Sequence, residues 1–448
     1  MRKKRNQTYE KSSRREGPLC SRRARNVGIL ATVAVFLVMA VWGLCFFLRP
    51  TVSESEKREL TPFPAFTWDS FISGAWSEQV SLWYSDTFPG RDGLVSAWHR
   101  VESLYGFSGE KAQLGTGDEV PDETMGDPSG IETGDSRPVG GVTTGEQVNG
   151  YYLSGDTAYE LYYFNKSAAP RYAALINRAA QALEGKAQVY DMVIPLSYTF
   201  ALDGSLQDSL GVADGAKAAA YLYSGMDPAV VKVDVASALM AHREEYIFFR
   251  TDHHWTATGA YYAYAAFCQS AGLTPTPLSA YEKLSFGGFL GTLYAKTNQP
   301  AALRDNPDTV EAYVPMGTNA MTVLMSDGVE HTEYPIVQRR TDAFYAAAAS
   351  KYNCFIAGDN PLTTIHNSNI AADRRGTAVV LVKESFGNAF APFLVDSFEY
   401  VYIIDYRYYD GDLTQFVTTH GVQTVIFLNN LVATTSDARL SELEALVD

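Results

Sequence analysis

Arg250-Thr251-Asp252-His253-His254-Trp255-Thr256 sets two of the chain's 7 histidines side by side behind an aspartate. The residues before it, Glu245-Tyr246-Ile247-Phe248-Phe249-Arg250, are aromatic and β-branched with little alternation, which predicts a buried strand. The residues after it, from Ala257 to Phe267, are rich in alanine and predict a helix, with Thr256 or Thr258 as its N-cap. An acid and two imidazoles then stand at a strand end just ahead of a helix, where α/β sheets gather their ligand and catalytic groups. Three chemistries suit the stretch. In a hydrolytic triad, Asp252 orients His254, two residues away on the same face of extended backbone, and His254 serves a nucleophile elsewhere. In a metal site, Asp252, His253 and His254 are ligands that need partners from other segments. In a purely structural role, the stretch is a polar helix start with satisfied histidines.

A nucleophile candidate lies downstream. Thr377-Ala-Val-Val-Leu-Val-Lys383 predicts a strand that breaks at Glu384-Ser385-Phe386-Gly387 and passes into a helix over Asn388–Leu394. Strand, sharp turn with serine, then helix holds a hydroxyl out of a sheet among backbone N–H groups, although this is not the G-x-S-x-G elbow. The N–H groups at such a helix start form an oxyanion site, here near Ser385 and Gly387. A serine that only caps the helix is the alternative.

Taken together, Thr251-Asp-His-His-Trp255, Lys383-Glu-Ser-Phe-Gly387 and Ile404-Asp-Tyr-Arg-Tyr408 resemble the DHHW proteins of Gram-positive bacteria. These are similar to the SGNH-hydrolase-like domain of the alginate O-acetyltransferase family. The resemblance spans roughly 53–440 and includes Glu56-Lys-Arg-Glu-Leu60, Asp86-Thr-Phe-Pro-Gly-Arg91, Phe286–Tyr294 and Gly358-Asp-Asn-Pro361. It implies an α/β fold, an SGNH-hydrolase-like parallel sheet flanked by helices, with Asp252, His254 and Ser385 as the triad. Glu384 departs from the family, which commonly has Asp or a small residue before the serine. The departure puts a negative charge beside a developing oxyanion. Gly387, Asn360, Arg407 and Thr292 are further candidates for the oxyanion site or for lining the substrate site.

Residues 1–26 carry ten Lys or Arg and two Glu, a net +8, and read as a solvated cytoplasmic tail. Val27 to Leu48 follows without a charge, and 22 apolar-dominated residues suffice to span a bilayer, which needs about 20. The basic flank puts the tail inside the cell and the rest of the chain outside. The stretch is longer than a signal-peptide core and lacks a small-x-small site, so it reads as an uncleaved signal anchor over 27–49. The whole chain has net charge −15; removing the tail's +8 and Arg49's +1 leaves −24 outside. That excess of acid argues against nucleic acid and anionic lipid as partners. Of 4 cysteines only Cys268 and Cys354 face the outside, where one disulfide can form, and no zinc spacing occurs.

Residues 50–107 read as a partly helical segment that packs on the main domain. From 108 to 150, Gly, Asp, Glu, Thr and Pro dominate, which predicts a flexible acidic loop without EF-hand spacing. The main domain runs over 151–448. Helices at 168–183 and 213–223 alternate with strands at 188–194 and 230–235, then strands recur at 400–405 and 424–429 before a last helix at 436–447. Such alternation predicts parallel strands. Residues 275–375 are less regular and read as an insertion over the mouth of the site.

By resemblance, the expected function is O-acetyl transfer to a cell-wall polymer or exopolysaccharide through an acyl-serine. The acetyl group would arrive through a membrane-bound acyltransferase partner, and no cofactor is called for. Water in place of the glycan hydroxyl would make the same residues an esterase. A non-catalytic glycan-binding role and a metal-dependent phosphoesterase are the other classes.

Overall fold

The computed structural model describes residues 137–325, 328–339 and 348–448, with 117–122, 124–125 and scattered positions between 49 and 89. The strand that leads to Ser385 has no polar position before its end. Ala378-Val-Val-Leu-Val-Lys383 is buried at every residue, as a strand covered on both faces of a sheet must be. It belongs to an eight-stranded sheet. In chain order the strands of the main unit are β1 (Glu146–Val148), β2 (Tyr151–Ser154), β3 (Thr157–Glu160), β4 (Gln188–Ile194), β5 (Val230–Lys232), β6 (Glu282–Phe289) and β7 (Asp308–Val314). They continue as β8 (Ala320–Leu324), β9 (Glu330–Pro335), β10 (Leu362–His366), β11 (Ala378–Lys383), β12 (Tyr400–Asp405) and β13 (Thr424–Asn430).

The large sheet runs β9-β8-β10-β12-β11-β13-β4-β5. The five strands from β12 to β5 are parallel, whereas β10, β8 and β9 join antiparallel. The expectation of a parallel sheet is therefore corrected to a mixed one. The antiparallel edge comes from 320–366, within the stretch read as an insertion. Only the few residues after Leu324 link β8 to β9, and a link that short permits a hairpin but no parallel crossover. The insertion reading is corrected too: part of 275–375 completes the sheet, while β6 and β7 form a separate antiparallel pair. The 108–150 loop reading is corrected at its end, where β1 pairs with β2 and Val142 bridges Leu202.

Helices form where the alanine-rich and amphipathic patterns place them. α1 (Ala168–Ala182) buries Ala169, Tyr172, Ala173, Ile176 and Ala180 along one stripe, the spacing of a core-facing helix. It is joined to the last helix, α2 (Asp437–Val447), by a two-pronged Arg171–Glu444 pair at 2.9 and 2.6 Å. Thr256 caps the helix Ala257–Ser270, its side chain accepting the Gly259 N–H. Ala260, Ala263, Tyr264 and Phe267 on that helix are all buried in the core shared with the sheet. Cys268 and Cys354 are both free and buried, so neither is in a disulfide.

The described residues from Arg49 to Pro89 belong to a second compact unit. Within it Trp76, Val80, Trp83 and Tyr84 are helical, and the Arg49 guanidinium lies 4.0 Å from the Trp83 ring centre. Among the described residues no helix is long and apolar enough to cross a membrane. The span expected over 27–48 and Arg91 lie outside those residues.

Candidate active site

The carboxyl ends of β11, β12 and β13 lie level: Lys383 is in register with Asp405 and with Leu428. Whatever follows those strands shares one edge of the sheet, the usual place for a site in parallel α/β architecture. Glu384-Ser385 follows β11, and Arg407 follows β12.

The Asp-His-His stretch reaches this edge from a loop and not from a strand. Residues 245–250 join no ladder: the chain bends at 245, 246 and 250, and their one bridge is Phe248 to Trp255. The chain reverses too soon for a strand to grow, with Phe249 N–H on the His254 carbonyl (3.2 Å) and Thr256 N–H on the Ile247 carbonyl (2.9 Å). The strand expectation is corrected accordingly: the aromatic residues answer to core burial and not to pairing. Asp308, at the start of β7, holds the loop. Its carboxylate accepts the Thr251 N–H (2.7 Å) and hydroxyl (2.6 Å), the Arg250 Nε–H (3.2 Å) and the Tyr246 hydroxyl.

Within the loop, the i, i+2 spacing brings the Asp252 Oδ1 to 2.6 Å from His254 Nδ1. Thr292 acts through its backbone, its N–H donating to Asp252 Oδ2 at 2.7 Å. Gly291 is required here by close approach, since a Cβ would lie 2.2 Å from the Cβ of Asp252. Burial alone would raise the Asp252 carboxyl. The two imidazoles and the bonds from His254 and the Thr292 N–H outweigh it and hold the group far below the usual carboxylate range. With Nδ1–H committed to an ionised carboxylate, His254 Nε2 is the acceptor. It lies 2.7 Å from Ser385 Oγ. The three residues form one hydrogen-bonded line, the arrangement that lets a serine lose its proton as it attacks.

Two contacts fix that line from behind. The Tyr352 ring stacks on His254 at 4.2 Å and 14°, and its hydroxyl donates to the Ser385 carbonyl at 3.1 Å. Trp255 Nε1–H donates to the Phe386 carbonyl at 2.9 Å. Beneath the serine turn, the fully buried Lys383 Nζ donates to Asp405 (2.7 Å) and Asp359 (3.2 Å). Arg407 completes the network: Asp405 takes its Nε–H and Nη2–H at 2.8 and 2.6 Å, and Asp359 lies 2.9 Å from Nη2. Two cations thus meet two carboxylates, which is the condition for burying such groups. Gly387 packs on this lysine; a Cβ there would come within 2.5 Å of the Lys383 stem.

Two backbone donors near the serine are engaged inside the turn. Gly387 N–H donates to the Glu384 carbonyl at 2.9 Å. Glu384 Oε2 accepts the Phe386 N–H at 3.1 Å and lies 3.2 Å from Ser385 Oγ, and Oε1 accepts the Asn430 N–H at 3.2 Å. Burial raises this carboxyl above its ordinary value, against the pull of Arg407 and those N–H groups. Asn360 is buried and gives its amide to the Ile356 (3.4 Å) and Ala357 (3.2 Å) carbonyls. Both of those residues have positive φ, 45° and 60°, so Asn360 braces a strained turn.

Asp252, His253 and His254 cluster closely enough to hold a metal. The fit is poor on their chemistry, because Asp252 and His254 spend Oδ1 and Nδ1 on each other and His254 Nε2 faces Ser385. Lys383, Asp359 and Asp405 lie in the stretches that carry the resemblance but had no role assigned from sequence, and Asp308 and Tyr352 were not singled out at all. The available signal was a lysine ending an otherwise apolar strand, which must find buried carboxylates.

The family model described as DHHW protein matches residues 56–132 and 126–404. A search of curated proteins found no match. Among solved structures, a DHHW family protein from Eubacterium siraeum DSM 15702 is 29% identical, with a TM-score of 0.62 over 69% of this chain and 100% of that one. Bacillus cereus PatB1 with a sulfonyl adduct is 19% identical, with a TM-score of 0.54 over 66% and 98%. The O-acetyltransferase domain of Pseudomonas putida AlgJ is 15% identical, with a TM-score of 0.33 over 64% and 96%.

Proposed function

The chain belongs to the DHHW protein family, and on that footing we propose that it is an O-acyltransferase that works through an acyl-serine at Ser385. The observation that carries the reading is the line Asp252–His254–Ser385, 2.6 and 2.7 Å per step, with each imidazole nitrogen committed to one partner. Ser385 Oγ attacks the carbonyl of an acyl donor, and its proton passes to His254 Nε2. The tetrahedral adduct collapses, the donor's leaving oxygen takes that proton, and acyl-Ser385 remains. An acceptor hydroxyl then attacks the acyl carbon and gives its proton to His254. Collapse transfers the acyl group and returns the proton to Ser385 Oγ. Asp252 holds the tautomer and faces the imidazolium that forms at each step. The acyl group is acetyl and the acceptor a glycan hydroxyl of a wall polymer or exopolysaccharide, as the family resemblance implies. The signal-anchor reading of 27–48 sets the domain outside the cell, beside a membrane-bound acyltransferase that supplies the acetyl group.

One observation favours a second reading. The Glu384 carboxylate occupies the Phe386 N–H, the donor that follows the nucleophile and ordinarily serves the oxyanion. A chain so arranged would bind glycan without acylating. Intact-mass measurement on the full-length protein separates the two. With p-nitrophenyl acetate, wild type gains one acetyl group, mapped to Ser385, and Ser385→Ala and His254→Ala do not. Ester turnover falls on the order of 10⁴–10⁶ in the variants. The sulfonyl adduct on PatB1 makes an aryl sulfonyl fluoride a second probe of the same serine. Absence of either adduct on wild type ends the acyltransferase reading. With the acetyl-enzyme in hand, turnover with and without a glycan acceptor tells transferase from esterase.

A further inference from the structure

A small cavity of about 160 Å³ opens beside the nucleophile turn, walled by Glu160, His253, Glu384, Arg407, Asn430 and Arg439. These residues come from the end of β3, the histidine loop, the serine turn, the loop after β12, the end of β13 and α2. Two of them precede the reacting residues directly: His253 stands before His254, and Glu384 before Ser385. The cavity is thus one residue along the chain from both the base and the nucleophile, although neither His254 nor Ser385 lines it. It is smaller than the roughly 300–1,000 Å³ of a drug-sized pocket, so it takes one edge of a larger ligand.

Its lining is polar and mixed in sign. Glu160 extends from β3 with no side-chain hydrogen bond among the described residues, in a setting whose burial raises its carboxyl against the influence of His253. Glu160 is half-buried and neither carboxylate oxygen is sealed from solvent, so the group is open to a donor from a ligand. Arg407 uses Nε and Nη2 on Asp405 and Asp359. Arg439 uses Nη1 on Glu442. Each guanidinium keeps further N–H groups for a ligand. A fixed anion in the cavity meets Glu160 and Glu384; a fixed cation meets Arg407 and Arg439. An uncharged group that both donates and accepts suits every wall. Adjacent sugar hydroxyls have that character.

We propose that this cavity is the acceptor subsite, taking a cluster of hydroxyls of a neutral sugar, with Glu160 accepting and Arg439 donating. The proposal rests on the acyltransferase reading above and adds to it the class of acceptor and the residues that select it. Glu160 is a specificity residue: held through its neighbouring hydroxyls, the sugar presents one more hydroxyl to acyl-Ser385 and His254 Nε2.

The test follows the partition of preformed acetyl-Ser385 between water and acceptor in the full-length chain, a ratio that does not depend on how fast the acetyl-enzyme forms. The probes are three neutral tetrasaccharides, chitotetraose, maltotetraose and cellotetraose, beside a cationic glucosamine tetramer and an anionic galacturonate tetramer. At least one neutral probe should be acetylated in preference to both charged ones. Glu160→Gln and Arg439→Gln should each lower its transfer-to-hydrolysis ratio at least tenfold and raise its KM. Ratios unchanged within twofold in both variants, or preference for a charged probe, overturn the assignment. A second arm measures the same probes by ligand-observed NMR on Ser385→Ala, which cannot acylate. If wild type forms no acetyl-enzyme, the transferase reading fails by itself. Neutral-sugar binding to Ser385→Ala that Glu160→Gln weakens tenfold then sustains the cavity as a sugar site, and no binding sinks it. Thermal melts of both Gln variants within a few degrees of wild type exclude misfolding as the cause.

Discussion

The indole N–H of Trp255 donates to the Phe386 carbonyl at 2.9 Å, joining two segments 131 residues apart in the chain. One segment carries the imidazole and the other the hydroxyl, so this bond sets the His254–Ser385 distance. Trp255 is fully buried. Trp255→Phe keeps most of its volume and leaves the Phe386 carbonyl without its donor. A buried polar group so orphaned costs about 1–3 kcal/mol. A misplacement of about 1 Å at the reacting atoms costs about 100-fold in rate. The expected result is a folded protein, less stable by that amount in urea unfolding, whose Ser385 acetylation slows by about 10–100-fold. A normal acylation rate would show that the bond serves packing alone.

The Glu384 carboxylate holds the Phe386 N–H and stands 3.2 Å from Ser385 Oγ. It must leave that N–H if the donor is to meet an oxyanion. Removing one such donor from a reaction typically costs about 10²–10³ in rate, so freeing one should recover part of that range. Glu384→Ala is expected to acetylate Ser385 at least tenfold faster than wild type in stopped-flow release of p-nitrophenolate. A slower variant would mean that the carboxylate orders the turn and does not obstruct it.

Asp252 and His254 could be paired from the sequence because their relation is local, Ser385 stood out by the pattern around it, and the family resemblance joined the two across 131 residues. An i, i+2 spacing and a strand–serine–glycine–helix order each survive whatever the rest of the chain does. The serine strand was readable because Ala378–Val382 is apolar throughout. The groups that hold the site in place were not readable, because they arrive by register. Tyr352 reaches His254 from 98 positions away in number, and Asp308 reaches Thr251 from 57 positions away. The strand misassigned to 245–250 shows the same limit: aromatic residues there report burial, which a tightly reversing loop supplies as well as a ladder does. The antiparallel edge of the sheet was missed because short, irregular strands carry no sign of the direction in which they will pair.

Lys383 tests how much the buried ion network contributes. It is fully buried between Asp405 and Asp359. Lys383→Met keeps the stem that packs on Gly387 and leaves Arg407 as the one cation facing two carboxylates, of which Asp359 keeps the Asn388 amide at 2.9 Å. Breaking a buried pair on one side costs about 3–5 kcal/mol. The variant is expected to lose that much stability in urea, and Lys383→Met with Asp359→Asn should recover part of it by removing the excess charge. A single variant as stable as wild type would show that Arg407 alone neutralises both acids.

Asp191 carries the last prediction, which concerns pH. It lies on β4, fully buried, with Oδ1 accepting the Tyr172 hydroxyl at 2.7 Å and Oδ2 without a partner. Burial pushes its carboxyl up to about 7, offset in part by the tyrosine bond. The unfolded chain releases the same proton near 3.9. Between about pH 4 and 7 the folded state therefore binds a proton that the unfolded state lacks, so stability declines as pH rises through that window. The contribution is fully present below about 4 and lost above about 7; at roughly 1.4 kcal/mol per pH step its upper bound is about 4 kcal/mol. Asp191→Asn cannot ionise and abolishes this part of the slope, while other titrating groups cancel between the two proteins. Urea unfolding at pH 5 and pH 8 should show wild type losing stability relative to Asp191→Asn by at least about 2 kcal/mol over that interval. A difference between the proteins that stays constant from pH 5 to pH 8 would mean that Asp191 is ionised in the folded core throughout, with water supplying the missing donor.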